Sequence, residues 1–132
     1  MSILIVEDNK VAAHILKLNL EKHGYNTITV TNGMDALEIL KDEDYKIDLV
    51  ISDISMPYMD GIHFLKQIKE SPSHADIPVI LCTQHHDSKI IHEAIRLGCA
   101  DYIVKPINAA QLLQKVRHIL PPPVDQTPLQ PA

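Results

Sequence analysis

Glu7 and Asp8 follow the apolar run SILIV, Asp53 closes LVIS, Thr83 follows PVILC, and Lys105 follows DYIV. Three carboxylates, a hydroxyl and an ammonium thus each stand where an apolar run stops. Brought together, three carboxylates repel and raise one another's pKa unless a cation sits among them. Oxygen donors with few protein ligands suit Mg²⁺, which keeps waters and completes its shell with phosphate oxygens. The lysine and the hydroxyl suit the remaining phosphate oxygens. An aspartate in that setting can act as a nucleophile toward phosphorus, giving an aspartyl phosphate. Singly, each residue has a plainer role: Asp8, for example, could simply cap a helix. The chemistry requires that all five share one edge of the fold.

The intervening segments supply that edge. Short runs rich in Ile, Val and Leu read as strands at 2–6, 26–30, 48–52, 78–82 and 101–104. Between them lie helical patterns at 9–24, 34–41, 61–70, 88–98 and 109–120. Val11, Ile15 and Leu18 give the first its helical spacing, with Gly24 as its stop. Asp60 is placed to cap the third, Gly98 closes the fourth, and Asn108 with Gln111 has capping-box spacing before the fifth. Ile90, Ile91, Ala94 and Ile95 on the fourth helix, and Leu112, Leu113, Val116 and Ile119 on the fifth, are expected to be mostly core. Strict strand–helix alternation predicts an α/β fold, a doubly wound five-stranded parallel sheet with helices on both faces. Ligands of such sheets bind outside the carboxyl ends of the strands, where the five polar residues fall.

Within 132 residues this is one domain, over 1–120. The stretch 121–132 holds five of the nine prolines and reads as an extended linker or tail. A net charge of −5 gives no electrostatic reason to bind nucleic acid. No apolar run reaches the length of a membrane span, and Glu7-Asp8 comes too early for a signal peptide. Cys82 and Cys99 fit small buried hydrophobes in a reducing cytoplasm, the expected location.

Four motifs in order carry a resemblance over about residues 2–120: ILIVEDN, DLVISDISMPYMDG, VILCT and GCADYIVKP. The chain resembles the receiver domain of two-component response regulators. The resemblance implies a flavodoxin-like sheet of strand order 2-1-3-4-5. Asp53 would take a phosphoryl group from a histidine kinase or a histidine phosphotransfer protein. Mg²⁺ would be held by Asp8, Asp53 and the backbone carbonyl of Ser55, with Glu7 acting through water. Thr83 and Lys105 would hold the acylphosphate, and the Lys105–Pro106 bond would be cis. Thr83 and Tyr102 would form a switch that alters the face made by the fourth helix, fifth strand and fifth helix. An output domain or protein, or a second phosphorylated copy, would dock there. From the residues alone, Tyr102 could equally be a half-buried edge aromatic. Apart from its own phosphorylation and dephosphorylation, no enzyme activity is implied.

The chain departs from the pattern after Thr83, where Gln84 stands in place of a small residue. Gln84 and His85 are placed to tune how fast the phosphoryl group is lost. His85, His86 and His92 suggest a transition-metal cluster, but adjacent histidines diverge and no third ligand supports them. His14, His23, His63, His74 and His118 read as solvated. A flavin carrier on this fold would need a Gly/Ser/Thr-rich loop after the first strand, where EDNKVAA is acidic. A Mg²⁺ phosphohydrolase would carry an acid two residues beyond Asp53, where Ser55 stands. A degenerate, scaffold-only receiver would lack some of the five polar residues.

Overall fold

The computed structural model describes residues 1–56, 59–84 and 88–121. Pro57, His85, His86 and the tail from 122, all singled out in the sequence, lie outside the described residues. Strands β1 (Ser2–Val6), β2 (Asn26–Val30), β3 (Leu49–Asp53), β4 (Val79–Thr83) and β5 (Asp101–Val104) alternate with five helices. These are α1 (Lys10–Glu21), α2 (Gly33–Lys41), α3 (Gly61–Glu70), α4 (Ser88–Arg96) and α5 (Ala109–Ile119). All pairings are parallel and the order is β2-β1-β3-β4-β5.

Side chains alternate across a strand, so each run of Ile, Val and Leu feeds two cores. On one face Ile3, Ile5, Leu49, Ile51, Ile80 and Ile103 meet Leu16 and Leu20 of α1 and Leu112 and Val116 of α5. On the other, Leu4, Val6, Val50, Val79 and Leu81 meet Ala36 and Leu40 of α2, Phe64, Leu65 and Ile68 of α3, and Ala94 of α4. β3 and β4 are buried along their whole length. Tyr25 is buried with them, its hydroxyl donating to the Leu120 carbonyl at 3.3 Å.

Several expectations are corrected. The core face of α1 is Leu16 and Leu20, not the stripe of Val11, Ile15 and Leu18, which are 70%, 51% and 53% exposed. On α4 only Ala94 is buried; Ile90 and Ile91 are half-buried and Ile95 is exposed. On α5, Leu113 and Ile119 are partly buried at the margin of the core. α1 ends at Glu21 and α4 at Arg96; Gly24 and Gly98 follow them with positive φ (91° and 95°). His23 is half-buried with its Nδ1 at 2.9 Å from the Asn19 carbonyl, and His74 with its Nδ1 at 3.1 Å from the Ser71 hydroxyl. Both are tied to backbone or hydroxyl partners. Cys82 is buried and Cys99 half-buried. Among the described residues no helix is long and apolar enough to cross a membrane.

Candidate functional site

The parallel order places the carboxyl ends of β1, β3, β4 and β5 side by side, and their terminal polar residues do converge. Ile5 pairs with Ile51 and Val6 with Ser52, so Glu7 and Asp53 emerge from adjacent strands. Asp53 is level with Cys82, and Thr83 with Val104. The Lys105 N–H then donates to the Thr83 carbonyl at 2.7 Å, which fixes where the lysine leaves the sheet. Lys105 Nζ reaches Glu7 Oε1 at 3.0 Å and Asp53 Oδ2 at 3.1 Å. The Lys105–Pro106 peptide bond is cis.

Local chemistry keeps these groups available. The side chain of Asn9, not that of Asp8, caps α1 by accepting from the Ala12 N–H at 3.0 Å. Asp8 is therefore exposed at the mouth of the site rather than spent on the helix. The Asn9 N–H also donates to Glu7 Oε2 at 3.1 Å, so each Glu7 oxygen has a partner. Asp60 caps α3 through the His63 N–H at 2.8 Å, and Asn108 caps α5 through the Gln111 N–H at 3.0 Å.

After Asp53 the chain turns back on itself. The Ile54 N–H donates to the Cys82 carbonyl at 3.0 Å, and the Gly61 N–H to the Ile54 carbonyl at 2.7 Å. A Cβ at Gly61 would lie 2.5 Å from the Asp53 carbonyl oxygen and 2.7 Å from Ile54 Cα. Only glycine lets α3 start this close beneath the acid.

Glu7, Asp53 and Thr83 are all buried, at 3%, 7% and 3% exposure. Burial lifts the Glu7 carboxyl above its ordinary value and the Asp53 charge adds to this, against the pull of the Asn9 N–H and Lys105. Burial works against the Lys105 charge too, but the Glu7 and Asp53 carboxylates outweigh it and hold the ammonium above its usual value. The neighbouring Cys82 thiol is pushed up to about 12, chiefly by burial, and stays protonated. Carboxylate oxygens of Glu7, Asp8 and Asp53 lie within 4.8 Å of one another. One ammonium against three carboxylates leaves room for further positive charge. An all-oxygen donor set suits a hard divalent cation such as Mg²⁺.

Ser55 and Gln84 lie on the turns that leave β3 and β4, both exposed. Tyr102 is half-buried on β5, level with Leu81, its ring 5.8 Å from the Lys115 ammonium. Three contributors were not apparent in the sequence: Asn9 as cap and donor, the steric demand at Gly61, and the pairing of Lys115 with Asp101 at 2.9 Å. An Asx residue just before a helical pattern signals the first, and the Asp-Gly pair before α3 hints at the second. Nothing local signals the third.

A family model described as the response regulator receiver domain matches residues 3–117. The two-component response regulator ARR10 of Arabidopsis thaliana is 33% identical over 120 residues, which is 91% of this chain and 21% of that protein. The chain thus spans about a fifth of the length of that relative. The crystal structure of the signal receiver domain of a histidine kinase from Syntrophus aciditrophicus is 39% identical, with a TM-score of 0.83 over 90% of this chain and 89% of that one. The receiver domain of a Pseudomonas aeruginosa sensor histidine kinase, solved with magnesium coordinated in its active-site cleft, is 25% identical with a TM-score of 0.79, covering 89% and 95%. Sheet order, site geometry and these likenesses agree: the chain belongs to the response regulator receiver domain family, the phosphorylation-controlled switches of two-component phosphorelays.

Proposed function

We propose that Asp53 is the phosphoacceptor of this receiver and that its partner is a histidine kinase or a histidine phosphotransfer protein. The observation that carries this is the double contact of Lys105 Nζ with Glu7 and Asp53 inside a cluster of three carboxylates. Asp8, Asp53, the Ser55 carbonyl and, through water, Glu7 would hold Mg²⁺. When bound, the ion offsets negative charge on the incoming phosphoryl oxygens.

The chain's own groups do the rest. Lys105 engages Asp53 Oδ2, so Oδ1 is the oxygen left to attack phosphorus. The new bond is Asp53 O–P; the bond that breaks is P–N of the donor phosphohistidine, whose electron pair returns to the imidazole. Lys105 and the Thr83 hydroxyl then hold phosphoryl oxygens. Hydrolysis of the acylphosphate by water resets the site, so the chain acts chemically only on itself. The response passes from Thr83 to Tyr102 and the face formed by α4, β5 and α5.

The donor docks on α1. Asp8 lies two residues before this helix, so α1 borders the cluster that a phosphoryl donor would approach. The exposed stripe of Val11, Ile15 and Leu18 gives that partner an apolar surface.

The test is labelling by a small acyl-phosphate donor, read by intact mass. Wild type should gain one phosphoryl group in the presence of Mg²⁺ and none after chelation, and Asp53→Asn should gain none. Full labelling of the Asn variant, or labelling indifferent to Mg²⁺, overturns the assignment.

A further inference from the structure

We propose that Lys115 is a positioning residue that holds the Tyr102 ring beneath its own ammonium at the β5 edge and thereby restrains activation. This rests on the switch reading of Asp53, Thr83 and Tyr102 above. Lys115 Nζ donates to Asp101 Oδ1 at 2.9 Å, and the same oxygen accepts the Tyr102 backbone N–H at 2.8 Å. The ammonium is therefore pinned to the start of β5 through backbone-anchored geometry that does not involve the Tyr102 side chain. From that point it stands 5.8 Å from the centre of the ring, within range for a cation–π attraction.

The two contacts behave differently when the switch turns. The Lys115–Asp101 pair joins two side chains and the Tyr102 backbone N–H, not the Tyr102 side chain, so it survives rotation of that ring. The Lys115–ring contact exists only while the ring stays under the ammonium. A group biases a two-state equilibrium only if it interacts differently with the two states. Lys115 meets that condition, because inward rotation of Tyr102 forfeits its ring contact and keeps its pair with Asp101. As a half-exposed ion pair, Lys115–Asp101 adds little to stability. What it contributes is aim: Asp101 keeps the ammonium over the ring.

The sign of the expected effect separates restraint from a merely structural role. Removing the ammonium should favour the inward ring and so the activated state. A structural lesion should instead weaken activation or leave it unchanged. Beryllofluoride with Mg²⁺ is the probe, titrated into the full chain and followed by amide NMR. Lys115→Met, or Lys115→Gln if the first folds poorly, should bind about threefold more tightly than wild type, equal to about 0.7 kcal/mol. Lys115→Arg, which keeps a cation over the ring, should bind as wild type does. In a Tyr102→Ala background, Lys115→Met should have no effect. Unchanged or weaker binding by Lys115→Met, or tightening that persists without the ring, overturns the proposal. Wild type that ignores beryllofluoride fells the phosphoryl-switch reading and the restraint with it; wild type that binds while Lys115→Met is unchanged fells the restraint alone.

Discussion

Helices α3 and α4 cover the same face of the sheet and differ by one residue in length, yet they hold it very differently. α3 buries Phe64, Leu65 and Ile68, and its first residue is wedged beneath the Asp53 carbonyl. α4 buries Ala94 alone and leaves Ile95 55% exposed. The strands they flank follow suit: all five residues of β3 are buried, but only Ile103 among the four of β5. The half of the sheet that carries Asp53 is locked, and the half that carries Tyr102 is shallowly packed. Segments with few buried apolar contacts open or shift at low cost. On the function proposed above, the charge geometry is fixed where the chemistry needs it and the responding surface is the softly packed one.

That contrast can be broken by mutation. Phe64→Ala should cost about 3–5 kcal/mol of unfolding free energy, whereas Ile95→Ala should stay within about 0.5 kcal/mol of wild type. Urea unfolding of both variants measures the difference, and equal costs would erase the distinction. Gly61→Ala should follow at about 2 kcal/mol, because the added methyl meets backbone atoms that cannot yield. Lys105→Met should cost about 1–2 kcal/mol without Mg²⁺ by leaving Glu7 and Asp53 unpaired, less than for a fully buried pair because Lys105 still touches solvent. Added Mg²⁺ should restore part of that loss.

A subtler effect comes from Glu7. Its carboxyl is held above the ordinary 4.5, first by burial. A raised carboxyl favours folding while protonated, so its contribution is complete below the ordinary value and is lost as pH climbs through the folded-state value. In chelator, Glu7→Gln should therefore gain stability relative to wild type as pH rises from the acid range to neutrality. A constant offset between the two would contradict this. The smallest effect concerns Gln84, exposed just beyond Thr83. Gln84→Gly should shed its phosphoryl group a few-fold faster, about 1 kcal/mol of barrier, by opening the path of the attacking water. Decay after donor removal reads this, and an equal or slower rate contradicts it.

The strands were legible in sequence in both halves of the sheet. Fully buried parallel strands read as unbroken Ile/Val/Leu runs, so β1, β3 and β4 emerge within a residue of their limits, the more exposed β2 and β5 match theirs, and the polar residues that end β1, β3, β4 and β5 mark the site. α1 shows where legibility stops. It carries two apolar stripes on roughly opposite sides, one through Val11, Ile15 and Leu18 and one through Leu16 and Leu20. Helical periodicity is satisfied by either, and only packing against the sheet decides. The cap of α1 was ambiguous for a similar reason, since Asp8 and Asn9 are adjacent and both can cap; the cap fell to Asn9 and left Asp8 exposed. The Lys115–Asp101 pair joins residues 14 apart on different elements, which no local pattern encodes.

The most direct measurement is the map of backbone amide shifts on adding beryllofluoride and Mg²⁺. Changes should begin at Asp8, Asp53 and Thr83 and extend through Tyr102 along α4 and α5, while the buried turns of α3 around Phe64 and Ile68 stay silent. Changes confined to the loops bearing Asp8 and Asp53, or spread equally through α3 and α4, would contradict a switch built from one locked and one loosely packed half of the sheet.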